Sequence, residues 1–186
     1  MSEESFTITD NRSGETVTVP IVDGTISSAA LRGLDKGMWF YDPSYMSTAN
    51  CDSKITYIDG GNGILRYRGY PIEQLAEQSN FLEVCYLLLN GELPNKEQAE
   101  EWVDHITFHT YVHENITRFM QGFRYDAHPM GTLVSTVAAL STFYPEAKDI
   151  DDPHNRLIQI IRLIAKMPTM AAFAYKNRLG LPYEYP

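Results

Sequence analysis

A length of 186 residues with 44% hydrophobic content is enough to bury one globular core. The formal net charge of −9 and the pI near 4.9 exclude the basic footprint of a nucleic-acid binder. No apolar run is long enough to span a bilayer, so a soluble chain with neither nucleic-acid nor membrane partners is expected.

Met1 to Asp10 has neither a basic start nor an apolar signal core. Phe6 to Thr9 and Glu15 to Val22 alternate polar with apolar residues around Asp10 to Gly14, the pattern of a hairpin. Cys51 and Cys85 are the only cysteines. They read as reduced thiols, and the location expected from them is cytoplasmic. Lys54 to Asp59 and Ile64 to Tyr70 form a second strand pair around Gly60, Gly61 and Gly63, which are expected to supply positive φ angles. Pro71 suits the first position of a helix. The sequence is helical from there, so residues 1–70 read as a β-rich region with hairpins and 71–186 as a helical domain. The fold class is mainly α with a small N-terminal β region.

Asn80 with Glu83, and Asn95 with Gln98, have capping-box spacing. Between them Phe81 to Leu89 is apolar nearly all round and reads as a helix buried on several sides. Ala99, Trp102, Ile106, His109 and His113 follow at helical spacing and are expected to share one face. After a break, Ile116, Phe119, Met120 and Phe123 resume the period. His128 and Pro129 then open a segment whose Gly131, Ser135, Ala138, Ala139 and Thr142 permit close helix contacts. Asp152 and Pro153 start the last long helix, with Leu157, Ile160, Ile161 and Ile164 as its buried stripe. Pro168 should kink or break it, and Gly180 should end it.

Four groups of residues could carry chemistry. His105, His109 and His113 stand four apart, the spacing by which imidazoles share a metal, yet no glutamate of HExxH type accompanies them and packing or capping is the favoured reading. No metal site is expected. Arg66 and Arg68 alternate along a strand and need an anion, supplied by a carboxylate such as Asp59, by a helix C-terminus, or by a phosphate or substrate acid. Arg124, Asp126 and His128 cluster at a helix start, where a cap is favoured over catalysis. Arg162 and Lys166 are like charges one helical turn apart, which repel unless something anionic lies near. Glu146 or Asp149 could neutralise them.

Several strings agree, in order, with one family: the run from Lys54 to Gly91, Phe40-Tyr41-Asp42-Pro43 with Ser47-Thr48, Asn90 to Pro94, Asp126 to Met130, and Lys166 to Ala172. The chain resembles the N-terminal segment of citrate synthase, of the bacterial type with a β-rich extension, from about Gly37 to Pro186. That resemblance implies an incomplete citrate synthase fold and an acyltransferase parent. The parent would join the methyl carbon of acetyl-CoA to the ketone of oxaloacetate and release citrate and CoA, the first step of the tricarboxylic acid cycle. Acetyl-CoA is a substrate there, and no cofactor is implied. A homo-oligomer, dimer or hexamer, is implied as well.

The family's catalytic histidines and aspartate have no match here; they are expected beyond Pro186, so the chain alone is expected to be inactive. The ending at Leu181 to Pro186 reads as a truncation, with apolar helix faces left exposed. In the hexameric, NADH-inhibited branch, positions equivalent to His109, Thr110, Tyr144, Arg162 and Lys166 form an allosteric nucleotide site. Phe108 and Tyr111 depart from that pattern, standing where that branch carries an arginine and a methionine. The alternatives are 2-methylcitrate synthase, which takes propionyl-CoA, and a short non-catalytic protein that binds a partner or a nucleotide.

Overall fold

β1 (Ser5–Thr9) and β2 (Thr16–Pro20) pair antiparallel, with Phe6 opposite Val19 and Ile8 opposite Val17. The alternation read from the sequence places Val19 inward, and it is buried. The structure, a computed structural model, describes residues 4–186; Met1 to Glu3, the start of the segment read as β-rich, lie outside the described residues. The chain divides into two compact units, one ending at Lys54 and the other spanning Ile55–Pro186.

The first unit continues past the hairpin with a 3-10 turn at Ser28–Ala30 and the short α1 (Leu31–Leu34). Arg12 bridges Asp10 and Asp35, tying the hairpin turn to the residue that follows α1. Further on, Asp42 accepts the backbone N–H groups of Met46 and Ser47 and the hydroxyls of Ser47 and Thr48. Four donors on one carboxylate favour its ionised form, and its pKa falls to about 2, chiefly through the Ser47 N–H. The Asp42 to Thr48 string is thus a self-closed loop.

In the second unit β3 (Thr56–Asp59), β4 (Ile64–Tyr67) and the two-residue β5 (Tyr70–Pro71) form an antiparallel sheet in that order. The β3–β4 turn differs from the expectation. Only Gly63, of its three glycines, has positive φ, while Asp59 holds the turn by accepting from the backbone and side chain of Asn62. Pro71 also differs: its backbone is extended, and it precedes α2 (Ile72–Gln78) as the N-cap rather than beginning it.

α3 (Phe81–Asn90) and α4 (Lys96–Phe108) begin with complete capping boxes at Asn80/Glu83 and Asn95/Gln98. Reciprocal side-chain and backbone bonds satisfy two orphan donors at each start. α3 is not buried all round: Leu87 is enclosed, whereas Phe81 is 72% exposed. α5 (Glu114–Gln121) and α6 (Pro129–Leu140) follow, then 3-10 turns at Ser141–Phe143 and Pro145–Lys148, and α7 (Pro153–Leu179).

α7 runs as one helix through Pro168, so the break that the proline allowed for does not occur. Pro168 faces solvent, and Thr169, Met170, Phe173 and Ala174 beyond it are buried. Burying large apolar side chains yields about 1.5–3 kcal/mol each, enough to outweigh the ~3 kcal/mol cost of one proline. Gly180 ends the helix in the left-handed conformation, as its position predicts.

Two apolar clusters lie against α7. Trp102 and Ile106 of α4 meet Ile161 and Ala165, and the Trp102 indole N–H donates to the Leu82 carbonyl at 3.0 Å. Val112, Ile116 and Met120 meet Leu140, Met170 and Phe173, and Tyr183 stacks on Phe173 at 4.6 Å. Within the expected α7 stripe Ile161 is buried but Leu157 is exposed. On α6 the buried positions are Thr132, Thr136 and Leu140; of the small residues Ala139 packs against the second cluster, whereas nothing approaches the Cβ position of Gly131.

Candidate functional site

Three residues of α7, one turn apart, reach into two connectors. Lys166 donates from Nζ to the carbonyl of His109 at 2.7 Å and to that of Tyr111. Thr169 donates from Oγ1 to the intervening carbonyl of Thr110 at 3.0 Å. Three successive carbonyls in the α4–α5 connector are therefore satisfied by side chains of α7. Lys166 is only 3% exposed. Burial, with Arg162 one turn away, brings its ammonium down to about 8.

Arg162 serves the other connector. Its guanidinium lies 4.1 Å from the Tyr144 ring centroid and pairs with the Glu146 carboxylate, which that contact lowers below the usual range. The Lys166 ammonium is 5.7 Å from the same ring. Glu146 stands on a pinned turn, since the Asn155 amide donates to the carbonyls of Glu146 and Asp149. The structure thus gathers His109, Thr110, Tyr144, Arg162 and Lys166 around one stretch of α7. Both cations already have protein partners, Glu146 for Arg162 and backbone carbonyls for Lys166. Phe108 and Tyr111 are exposed beside them.

The histidine row is dispersed by a helix end. α4 stops at Phe108, so His109 is a C-cap and His113 the N-cap of α5, and the three imidazoles share no face. His109 Nδ1 bonds the His105 carbonyl at 2.7 Å, and His113 Nδ1 accepts from Asn115 N–H at 3.0 Å. His105 lines a shallow hollow of about 150 Å³ with Tyr86, Asn90, Trp102 and Ile161. Among the described residues no group of three or more His, Cys, Asp or Glu could hold a metal ion.

Arg68, Arg124 and His128 are engaged within the chain. Arg68, in a left-handed turn rather than a strand, donates from Nη2 at 2.8 Å to the Leu88 carbonyl near the end of α3. Arg124 grips Asp126 with two 2.8 Å bonds, and His128 caps α6. Thr169 and Asn155 were missed in the sequence. Thr169 lies one turn beyond Lys166, a spacing that could have flagged it, whereas nothing local signals that Asn155 reaches back to Glu146.

The family model described as citrate synthase, C-terminal domain, matches residues 44–186. The chain belongs to the citrate synthase family. It is 53% identical over 196 aligned positions to a peroxisomal citrate synthase of Dictyostelium discoideum, covering 99% of this chain and 40% of that protein. A second Dictyostelium discoideum citrate synthase is 50% identical, over 99% of this chain and 38% of its own length. Among solved structures, citrate synthase from Pyrobaculum aerophilum aligns with a TM-score of 0.70 at 30% identity, covering 76% of this chain and 37% of that one. The chain spans about two fifths of the length of the curated relatives it matches.

These findings correct two expectations. The family match is to the C-terminal domain of citrate synthase, not to an N-terminal portion of the enzyme. A cytoplasmic location is overturned by the peroxisomal relative. Reduced thiols are compatible with more than one compartment, so cysteine usage was too weak a signal for the location.

Proposed function

We propose that the full-length protein to which this chain corresponds is a citrate synthase, an acyltransferase that converts acetyl-CoA, oxaloacetate and water to citrate and CoA. The observation that carries this reading is 53% identity to a citrate synthase across 99% of the chain. In that chemistry a carboxylate removes a methyl proton from acetyl-CoA while a histidine donates to the thioester carbonyl, and a second histidine polarises the oxaloacetate ketone. Water then hydrolyses the citryl thioester. Acetyl-CoA enters as a substrate, and the reaction calls on no cofactor. On this reading the acid and base groups come from residues outside this chain, and the helical segment supplies scaffold and subunit contacts in a homo-oligomer.

Oxaloacetate-dependent CoA release, measured for the full-length protein and for this chain, tests the reading. The long form is expected to turn over acetyl-CoA faster than propionyl-CoA, and the chain alone to release no CoA. Preference for propionyl-CoA would favour 2-methylcitrate synthase, and no turnover of either would end the proposal. A second reading, a nucleotide site at His109, Thr110, Tyr144, Arg162 and Lys166, is supported by two cations gathered about the Tyr144 ring. Adding NADH to the same assay tests it: unchanged rates with no NADH binding to the full-length protein would remove it.

A further inference from the structure

Asparagine is followed by glycine at two places in the chain, Asn62 and Asn90. A glycine has no Cβ to shield its backbone nitrogen or restrict its dihedrals, so that nitrogen can turn onto the side-chain carbonyl carbon of the asparagine before it. Both asparagines are exposed, so access of water does not distinguish them. Their backbones do. Asn90 is the last residue of α3; its amide donates to the Tyr86 carbonyl at 3.0 Å, and the Gly91 N–H donates to the Leu87 carbonyl at 2.8 Å. The nitrogen that would attack Asn90 is therefore held in a helix-end hydrogen bond. Asn62 stands instead in the turn between β3 and β4, and Gly63 follows it with φ of 68°. The register pairs Asp59 with Ile64, which leaves Gly63 outside the ladder, and its N–H makes no hydrogen bond among the described residues.

We propose that Asn62 is a site of spontaneous deamidation, and that the reaction undoes the turn joining β3 to β4. The Gly63 nitrogen forms a bond to Cγ of Asn62. The bond from Cγ to Nδ2 breaks, and ammonia leaves with the proton that the Gly63 nitrogen gives up. Water then opens the resulting succinimide at either of its carbonyls. One product is aspartate; the other is isoaspartate, in which the main chain runs through the former side chain.

Asp59 is what couples this chemistry to the fold. Its carboxylate accepts from the Asn62 backbone N–H at 3.1 Å and from Nδ2 at 2.8 Å. These donors, the side chain first, hold the Asp59 carboxyl below its ordinary range. In either product the Nδ2 donor is gone and a carboxylate has taken its place. An attractive contact in the turn thus becomes a repulsion between like charges. The isoaspartyl link also lengthens the main chain of a turn whose length sets the strand register. The site depends neither on the condensation reaction nor on a nucleotide.

The test incubates the whole chain at pH 8, folded and in urea, and follows both asparagines by peptide mass mapping. In the folded chain Asn62 is expected to convert about tenfold faster than Asn90, the factor that one hydrogen bond of ordinary strength corresponds to. In urea, where Gly91 is released, the two rates are expected to converge. Equal rates in the folded chain, faster conversion at Asn90, or a ratio that persists in urea overturns the inference. The variant Asn62→Asp carries the product carboxylate from the outset and gives a second readout. Its amide protection in β4 at pH 7 is expected to fall about fivefold below that of wild type, through the lost hydrogen bond to Asp59. Unchanged protection overturns the loss of the turn.

Discussion

Lys166 is a buried cation whose ammonium has no carboxylate partner among the described residues. Its donors are used by the carbonyls of His109 and Tyr111, and a neutral amine still offers two N–H groups to the same carbonyls. The clamp therefore persists on deprotonation, and what changes is the cost of burying charge. The unfolded lysine holds its proton up to about 10.5, but the folded one releases it near 8. Between those values the unfolded state binds more protons, so stability contributed at this site rises with pH. Urea melts of wild type and Lys166→Met at pH 7.5 and 10 should show wild type gaining on the variant by about 1–3 kcal/mol. A pH-independent difference would mean that Lys166 is solvated in the folded state.

At the scale of elements, α7 shows what packing adds to local preference. Pro168 leaves the Ile164 carbonyl without its N–H partner, yet the helix continues, carried by the buried face from Thr169 to Ala174. Pro168→Ala should therefore stabilise the chain by about 2 kcal/mol, the restored helix contribution less the lost rigidity of the unfolded chain, and raise its melting midpoint. A lowered midpoint would show that the backbone geometry imposed by Pro168 is needed for packing. The same contrast sets how far the elements could be read from the sequence. Both capping boxes, Asp152 with Pro153, and Gly180 were legible because each depends on residues a few positions apart. The end of α4 at Phe108 was not, because apolar and histidine spacing runs on across the break. What fixes the connector there is Lys166, 57 residues away from His109. The gathering of His109, Tyr144 and Arg162 was named through family resemblance; the local pattern alone gave only two like charges one turn apart.

For the whole molecule, the question is what its exposed apolar residues do. Within the helical unit Phe108 is 83% exposed, Tyr125 77% and Val134 61%, and Phe81 projects from α3. Single exposed apolar residues are ordinary, but this many large ones leave an unusual burden of apolar surface in contact with water. The curated relatives are about two and a half times longer than the matched segment, so most of their chain is available to cover such faces. The isolated chain is then expected to associate with itself, since each buried Å² of apolar surface returns about 25 cal/mol. Sedimentation velocity should show species heavier than 21.2 kDa that grow with concentration, together with strong binding of a hydrophobic dye. Charge works against this, because a net charge of −9 repels like copies at low ionic strength. Added salt should therefore promote association, which separates apolar docking from ion pairing. A monodisperse monomer at all salt concentrations would mean that these faces are tolerated in water and that the segment is stable without the rest of the enzyme.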